Sequence, residues 1–241
     1  MRDWLTARPI AHRGLHDAAA GVIENTPSAF RAAIDAGYGI ECDVQISADG
    51  EAMVHHDDAL GRLTEGDAPL AATTAEALRR VRFKVTADPM IALGDLCDLV
   101  AGRVALVVEL KSRFDGDLRV AQRAAEVLQA YKGHAAVMSF DPALVATARR
   151  AVPGLPRGLV AMRRADDDPA ARMTTAAYAR ALVSARPQFL AYRVADLDTL
   201  PPRLARSLLR WPLLTWTVRT PEDRARAARC ADQMIFEGFR P

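Results

Sequence analysis

The 241-residue sequence predicts an α/β protein, a (β/α)8 TIM barrel, on three observations. Short apolar, strand-like runs alternate with helical patterns along the whole chain. Eight such runs occur, a helical pattern lies between each neighbouring pair, and the length is close to the roughly 250 residues that a closed barrel uses. An open, doubly wound sheet would show the same alternation, but neither a GxGxxG nor a GxxxxGKS/T loop follows the first strand.

In order, residues 8–11 form the first strand. Thr26-Pro27 opens a helix, with Thr as N-cap and Pro in the first turn. Phe30, Ala33 and Ile34 form its apolar face and Gly37 closes it. Residues 39–46 are the second strand, and the turn Ala48-Asp49-Gly50 brings the chain back as a short strand over 51–55. Residues 60–90 are less regular, contain one helix over 74–81, and read as an excursion rather than a domain. A helix over 93–100 leads to the most apolar strand, 103–110. The second half keeps the alternation: helix 117–131, strand 135–139, a helix from Asp141-Pro142 to 151, strand 157–161, helix 174–184 and strand 188–192. Helix 197–209, strand 213–218, a helix from Thr220-Pro221-Glu222 to about 229 and strand 233–236 complete it. With no linker, repeat or low-complexity segment, residues 1–241 are expected to be one domain.

Half of the residues are hydrophobic, enough for a sizeable core. The net charge of +2, from 32 basic and 30 acidic residues, gives no global field suited to nucleic acid. Cys42, Cys97 and Cys230 are odd in number and form no CxxC, so neither a disulfide framework nor a zinc knot is expected. No apolar run reaches the ~18 residues of a membrane span. The first residues lack an apolar core of signal-peptide length, so the expectation is a cytoplasmic protein without an integral membrane segment.

The reactive residue types concentrate in residues 10–57. His12 and Arg13 follow the first strand; Glu41 and Asp43 lie two apart on the second, so their side chains share a face. Glu109 and Lys111 stand in the same relation at the end of strand 103–110. In a parallel barrel all of these meet at the carboxyl-terminal mouth. Three carboxylates from two strands suit a hard divalent cation, Ca²⁺ or Mg²⁺. The plainer alternative is a buried ion pair of Glu41 or Glu109 with Lys111 or Arg13, although two adjacent buried acids repel unless a cation joins them. Two histidines near such a cluster suit general acid and base chemistry. His12 is one; spacing alone does not separate His55 from His56 for the other. His16 and His134 read as surface histidines.

The ordered motifs carry a resemblance. His12-Arg13-Gly14, Glu24-Asn25-Thr26, Glu41 to Val44, Ser47 to Gly50, His56 to Thr64, Glu109 to Lys111, Ser139 to Pro142 and Trp216 to Val218 resemble the glycerophosphodiester phosphodiesterase family, and they cover nearly the whole chain. The resemblance implies His12 and His56 as the acid–base pair and Glu41, Asp43 and Glu109 as ligands of one divalent cation. It implies phosphate contacts from Arg13 and Lys111 and a pocket-lining role for Trp216. It also implies that residues 60–90 are a small insertion after strand 2 that covers the mouth. Two departures stand out: the family's usual Asn after the Trp-Thr-Val run is Arg219, and its usual Gly-Ile-x-Thr-Asp-like close is Met234-Ile235-Phe236-Glu237-Gly238-Phe239.

The expected activity is metal-dependent hydrolysis of a phosphodiester, a glycerophosphodiester giving an alcohol and glycerol 3-phosphate. The nucleophile would be water or the substrate's own 2-hydroxyl. The expected partner is the small-molecule phosphodiester itself. One alternative is a lysophospholipase D or phosphoinositide-type phosphodiesterase on a membrane lipid, for which Phe83 beside Arg79, Arg80 and Arg82 is the hint of an aromatic rim. Another is a barrel that binds phosphodiesters without turnover, which would have no need of an acid–base pair. An aldolase-type Schiff base is disfavoured because Lys111 stands among acids.

Overall fold

A computed structural model describes residues 2–163 and 175–241. Nine strands, β1 (Ile10–Ala11), β2 (Gly39–Ile46), β3 (Ala52–Val54), β4 (Leu106–Leu110), β5 (Ala135–Ser139), β6 (Arg157–Ala161), β7 (Phe189–Arg193), β8 (Leu213–Val218) and β9 (Gln233–Phe236), form one sheet among the described residues. All neighbours pair in parallel except β3, which runs antiparallel to β2 as the return arm of a hairpin. Because β1 pairs with both β2 and β9, the eight parallel strands close into a barrel. This is the predicted (β/α)8 TIM barrel.

Strand alternation divides the apolar residues between two cores. On β2, Ile40, Cys42 and Val44 face outward, into the layer shared with helices α2 (Pro27–Asp35), α4 (Leu93–Val100), α5 (Arg119–Ala130) and α6 (Pro142–Ala151). Inside the barrel, Ile10, Val107, Met138, Val160, Phe189, Leu214 and Ile235 pack together. A short helix the sequence reading did not include, α1 (Arg2–Thr6), sends Leu5 into this inner cluster with Trp4 against it, ahead of β1. Five residues are too few for a periodic signal, which is why it is not legible locally.

Several boundaries differ from expectation for identifiable reasons. Strand 103–110 begins at Leu106, because Ala101 and Gly102 take left-handed conformations and Arg103 N–H turns back to Val100 O. The helix expected over 197–209 is α8, Leu200–Ser207, preceded by a 3-10 turn at Val194–Asp196. Helix α7 spans Thr175–Ala185; Thr174, expected as its first residue, lies outside the described residues. Thr26 precedes α2 but its hydroxyl donates to Ile23 O at 2.7 Å instead of capping the helix. Thr220 does form the expected cap of α9 (Pro221–Cys230), in a capping box with Asp223.

The excursion over 60–90 holds α3 (Ala75–Arg80), and its Leu70, Leu78, Phe83 and Met90 pack with Ile23, Met53 and Ala92 in a separate apolar cluster. Phe83 is 6% exposed, so it forms no aromatic rim and the hint of a membrane-facing surface there is withdrawn. Among the described residues no helix is long and apolar enough to cross a membrane.

Inside the barrel the backbone of β6 and the ring of Phe189 meet so closely that a Cβ at Gly158 would lie 2.2 Å from Phe189 Cε2. Phe189 is fully buried and has no room to retreat. Gly158→Ala is therefore expected to destabilise the fold by about 1–3 kcal/mol through overpacking. Urea denaturation should show a lower midpoint with an unchanged slope.

Candidate active site

The site begins with pleat and register. Glu41 and Asp43 occupy the inward positions of β2, and the parallel register sets Asp43 beside Glu109 of β4. All three carboxylates are buried, and one oxygen of each lies within 4.8 Å of the others. Lys111, one residue beyond β4 on the same face, places Nζ 2.9 Å from Glu109 Oε1 and 3.4 Å from Asp43 Oδ1. Arg13 completes the charge arrangement. Its φ of 56° turns the chain after β1 so that its N–H donates to Glu41 Oε2 at 2.9 Å. Its Nη1 donates to Glu24 Oε1 at 2.7 Å, and Nε forms an ion pair with Asp43 Oδ2 at 3.1 Å without hydrogen-bond alignment. The ion pair foreseen as the plainer reading, Glu109 with Lys111, is thus present together with the acid cluster.

Two residues of the Glu24-Asn25-Thr26 segment, to which the sequence reading assigned no role, hold this cluster. Asn25, also left-handed at φ 57°, donates from Nδ2 to Asp43 Oδ2 at 2.9 Å and accepts from Asp43 N–H at 3.2 Å. Glu24 accepts from both Arg13 and Arg62, tying the loop after β1 to the loop after β3. The motif marked them; only folding shows which side chains they face.

The acids respond unequally to burial. Burial, then the neighbouring Asp43 and Glu109, push the Glu41 carboxyl well above its ordinary range. Burial pushes Asp43 up as well, but Lys111 and Arg13 outweigh it and hold the carboxyl below its usual value, with His56 and His12 adding to their effect. The Glu41 Oε1 atom is buried and has no hydrogen-bond partner among the described residues. An orphaned buried carboxylate oxygen beside two more carboxylates is a donor set that fits a hard divalent cation.

Both histidines act on the charge of Asp43. His12, one residue beyond β1, is 12% exposed at its side chain, and its Nε2 lies 4.0 Å from Glu41 Oε2. Burial lowers its pKa against the opposing effect of Glu237, whose Oε2 accepts from His12 Nδ1 at 2.5 Å. His56 donates from Nδ1 to Asp57 Oδ1 at 2.7 Å, and Gln45 Nε2 fixes its backbone by donating to His56 O at 2.9 Å. His55 is 2% exposed, and its N–H donates to Asp43 O. His134 is exposed and stacks on Trp4. His16 is not the expected surface histidine: only 18% of its side chain is exposed, and its Nε2 faces Glu237 Oε2 at 3.8 Å. The two departures from the family pattern meet here, since Arg219 Nε donates to Glu237 Oε1 at 2.8 Å. Trp216 is half-buried, stacks edge-on against Phe140 and donates to Ala191 O at 3.2 Å.

Acids, cations and histidines gathered at the strand ends of a closed parallel barrel place the protein among TIM barrels built for chemistry at that mouth. Comparison supplies the family. The sequence pattern of the Glycerophosphoryl diester phosphodiesterase family matches residues 12–237, and the chain belongs to that family. A glycerophosphodiester phosphodiesterase from Caldanaerobacter subterraneus subsp. tengcongensis is 34% identical over 111 residues, a match covering 43% of this chain and 44% of that protein. The chain thus spans less than half the length of that relative. The crystal structure of glycerophosphodiester phosphodiesterase from Thermotoga maritima is 25% identical, with a TM-score of 0.71 over 94% of this chain and 92% of that one. An Oleispira antarctica phosphodiesterase, solved with the product sn-glycerol-3-phosphate, shares the fold at 18% identity and a TM-score of 0.78, covering 97% and 94% of the two chains.

Asp57 provides a pH test. Burial pushes its carboxyl up, but hydrogen bonds from Arg62 and His56 outweigh it and bring the pKa to about 2. An unfolded Asp titrates near 3.9, so the unfolded chain binds more protons between these values. The stabilisation from Asp57 is therefore complete above about pH 4 and lost as pH falls towards about 2. Denaturation of the wild type and Asp57→Asn should show a stability gap at neutral pH that narrows below about pH 4.

Proposed function

We propose that the protein is a metal-dependent phosphodiester hydrolase that cleaves glycerophosphodiesters to an alcohol and glycerol 3-phosphate, with residues 1–241 acting as a single domain. One observation carries the reading: the three acids Glu41, Asp43 and Glu109 share the mouth with Arg13 and Lys111, and two histidines that act on Asp43 each have a carboxylate partner. Membership of the phosphodiesterase family supports it.

Glu41, Asp43 and Glu109 would hold the divalent cation, Ca²⁺ or Mg²⁺. With all five groups ionised, three carboxylates against Arg13 and Lys111 leave an excess of negative charge that repels a phosphodiester monoanion. A bound divalent ion reverses that sign and supplies Lewis-acid stabilisation of a phosphoryl oxygen. Arg13 and Lys111, both already at the mouth, are placed to neutralise the remaining charge on the phosphate. Trp216 offers an aromatic wall on the inner side of β8.

His12 and His56 divide the proton transfers. One removes the proton from the nucleophile; the other protonates the oxygen of the departing alcohol, so that no alkoxide leaves unassisted. Asp57 keeps the His56 ring turned with Nδ1 towards itself, leaving the other nitrogen for the substrate. Hydrolysis of a membrane lipid at a surface finds less support, because its aromatic hint, Phe83, is buried.

The test is a panel of glycerophosphodiesters assayed for glycerol 3-phosphate with and without Ca²⁺ and Mg²⁺. Chelation should abolish release, and adding the ion back should restore it. His12→Ala and His56→Ala should each lower turnover by roughly 10²- to 10⁴-fold, while calorimetry finds the cation still bound. A His56→Ala protein with near-normal turnover overturns the acid–base assignment.

A further inference from the structure

Three neighbouring strands end in residues that touch. His12 follows β1, Glu237 follows β9 and Arg219 follows β8, and these strands lie side by side in that order. The two oxygens of Glu237 are divided between the others: Oε2 accepts from His12 Nδ1 at 2.5 Å, and Oε1 accepts from Arg219 Nε at 2.8 Å. The backbone N–H of Glu237 donates to Val218 O at 3.1 Å, so the origin of the carboxylate is fixed as well as its head.

This arrangement restricts the imidazole. An ionised carboxylate only accepts hydrogen bonds, so the His12 nitrogen facing Glu237 carries the proton. The other nitrogen, Nε2, then lies on the side of the acid cluster, 4.0 Å from Glu41 Oε2. A flipped ring would place carbon against the carboxylate and lose the bond. His56 and Asp57 repeat the same chemistry, but there the partner is the next residue. For His12 it is 225 positions away.

We propose that Glu237 is a positioning residue for His12, and that Arg219 fixes Glu237 so that His12 Nε2 faces the phosphodiester. The proposal rests on the assignment of His12 as an acid–base group made above. Glu237 acts through His12, so its loss leaves the imidazole in place but free to turn.

Glu237→Ala, Glu237→Gln, Arg219→Ala and Arg219→Lys would be compared with wild type in steady-state kinetics, in calorimetric titration with Mg²⁺ or Ca²⁺, and in ¹⁵N-histidine NMR. Glu237→Ala should lower kcat by roughly 10- to 100-fold, the cost of misorienting a reacting group, with KM and cation affinity unchanged. Glu237→Gln keeps an acceptor and should fall between. Arg219→Ala should lower kcat by less, and Arg219→Lys should recover part of that loss. The His12 Nδ1–H resonance, identified by its absence in His12→Ala, should vanish in Glu237→Ala. Wild-type kcat in a folded Glu237→Ala overturns the proposal. So does a parallel loss of Mg²⁺ or Ca²⁺ affinity, which would make Glu237 a ligand instead. Tight binding of Zn²⁺ alone, abolished by both His16→Ala and Glu237→Ala, would likewise replace it with a metal site. If the wild type releases no glycerol 3-phosphate, the proposed activity fails, while the NMR comparison still decides whether Glu237 sets the His12 ring.

Discussion

The structure depends on keeping three carboxylates inside the end of a barrel. Water normally stabilises such charges, and a carboxylate moved into a dry interior loses several kcal/mol unless it gains partners. Glu41, Asp43 and Glu109 are each 9% exposed or less, so each depends on the polar groups packed around it. Asp43 has the fullest set, with Asn25, Arg13 and Lys111 around it. Glu41 has the poorest, with one backbone donor and one unpartnered oxygen. That inequality explains why the two acids of one strand respond in opposite directions. It also leaves Glu41 Oε1 buried and without a hydrogen-bond partner among the described residues, on the side where the proposed cation would bind.

The compensation reaches well beyond the acids. Arg13 joins Asp43 to Glu24, Glu24 joins Arg13 to Arg62, and Arg62 joins Glu24 to Asp57, the partner of His56. On the other side His12 joins the cluster to Glu237 and Arg219. The loops after β1, β3, β8 and β9 are thus linked by charged side chains around one opening. The inner members are poorly exposed, so salt screens them less than the outer ones, such as Arg219. Both histidines end up with a carboxylate on Nδ1, although one partner is local and the other is brought from the far end of the chain.

Legibility in the sequence followed the range of the interaction. The Glu41–Asp43 and Glu109–Lys111 pairs were readable because a strand has a period of two, and the structure does bring them to one face. Spacing does not separate His56 from His55; the family resemblance selects His56, and the structure shows its bond to the adjacent Asp57. The short helix α1 carried too few residues for a pattern. Apolar composition over 103–110 hides the left-handed turn at Ala101 and Gly102 that delays the strand to Leu106. Nothing local in the sequence shows that His16 is sheltered, because its partner, Glu237, lies at the other end of the chain. Arg219 and Glu237 were seen separately as departures from a pattern, with nothing in their spacing to show that they pair.

Local sequence carries the eightfold alternation, hence the closed barrel, and the residue types that its strand ends present. Those properties come from local periodicity and from the common polarity of parallel strands. Long-range contacts set which acid is left with an unpartnered oxygen, which cationic side chain answers which carboxylate, and that His12 meets Glu237. These depend on the closure of β9 against β1 and on the left-handed turns at Arg13 and Asn25. Both set distances between residues that no local pattern connects.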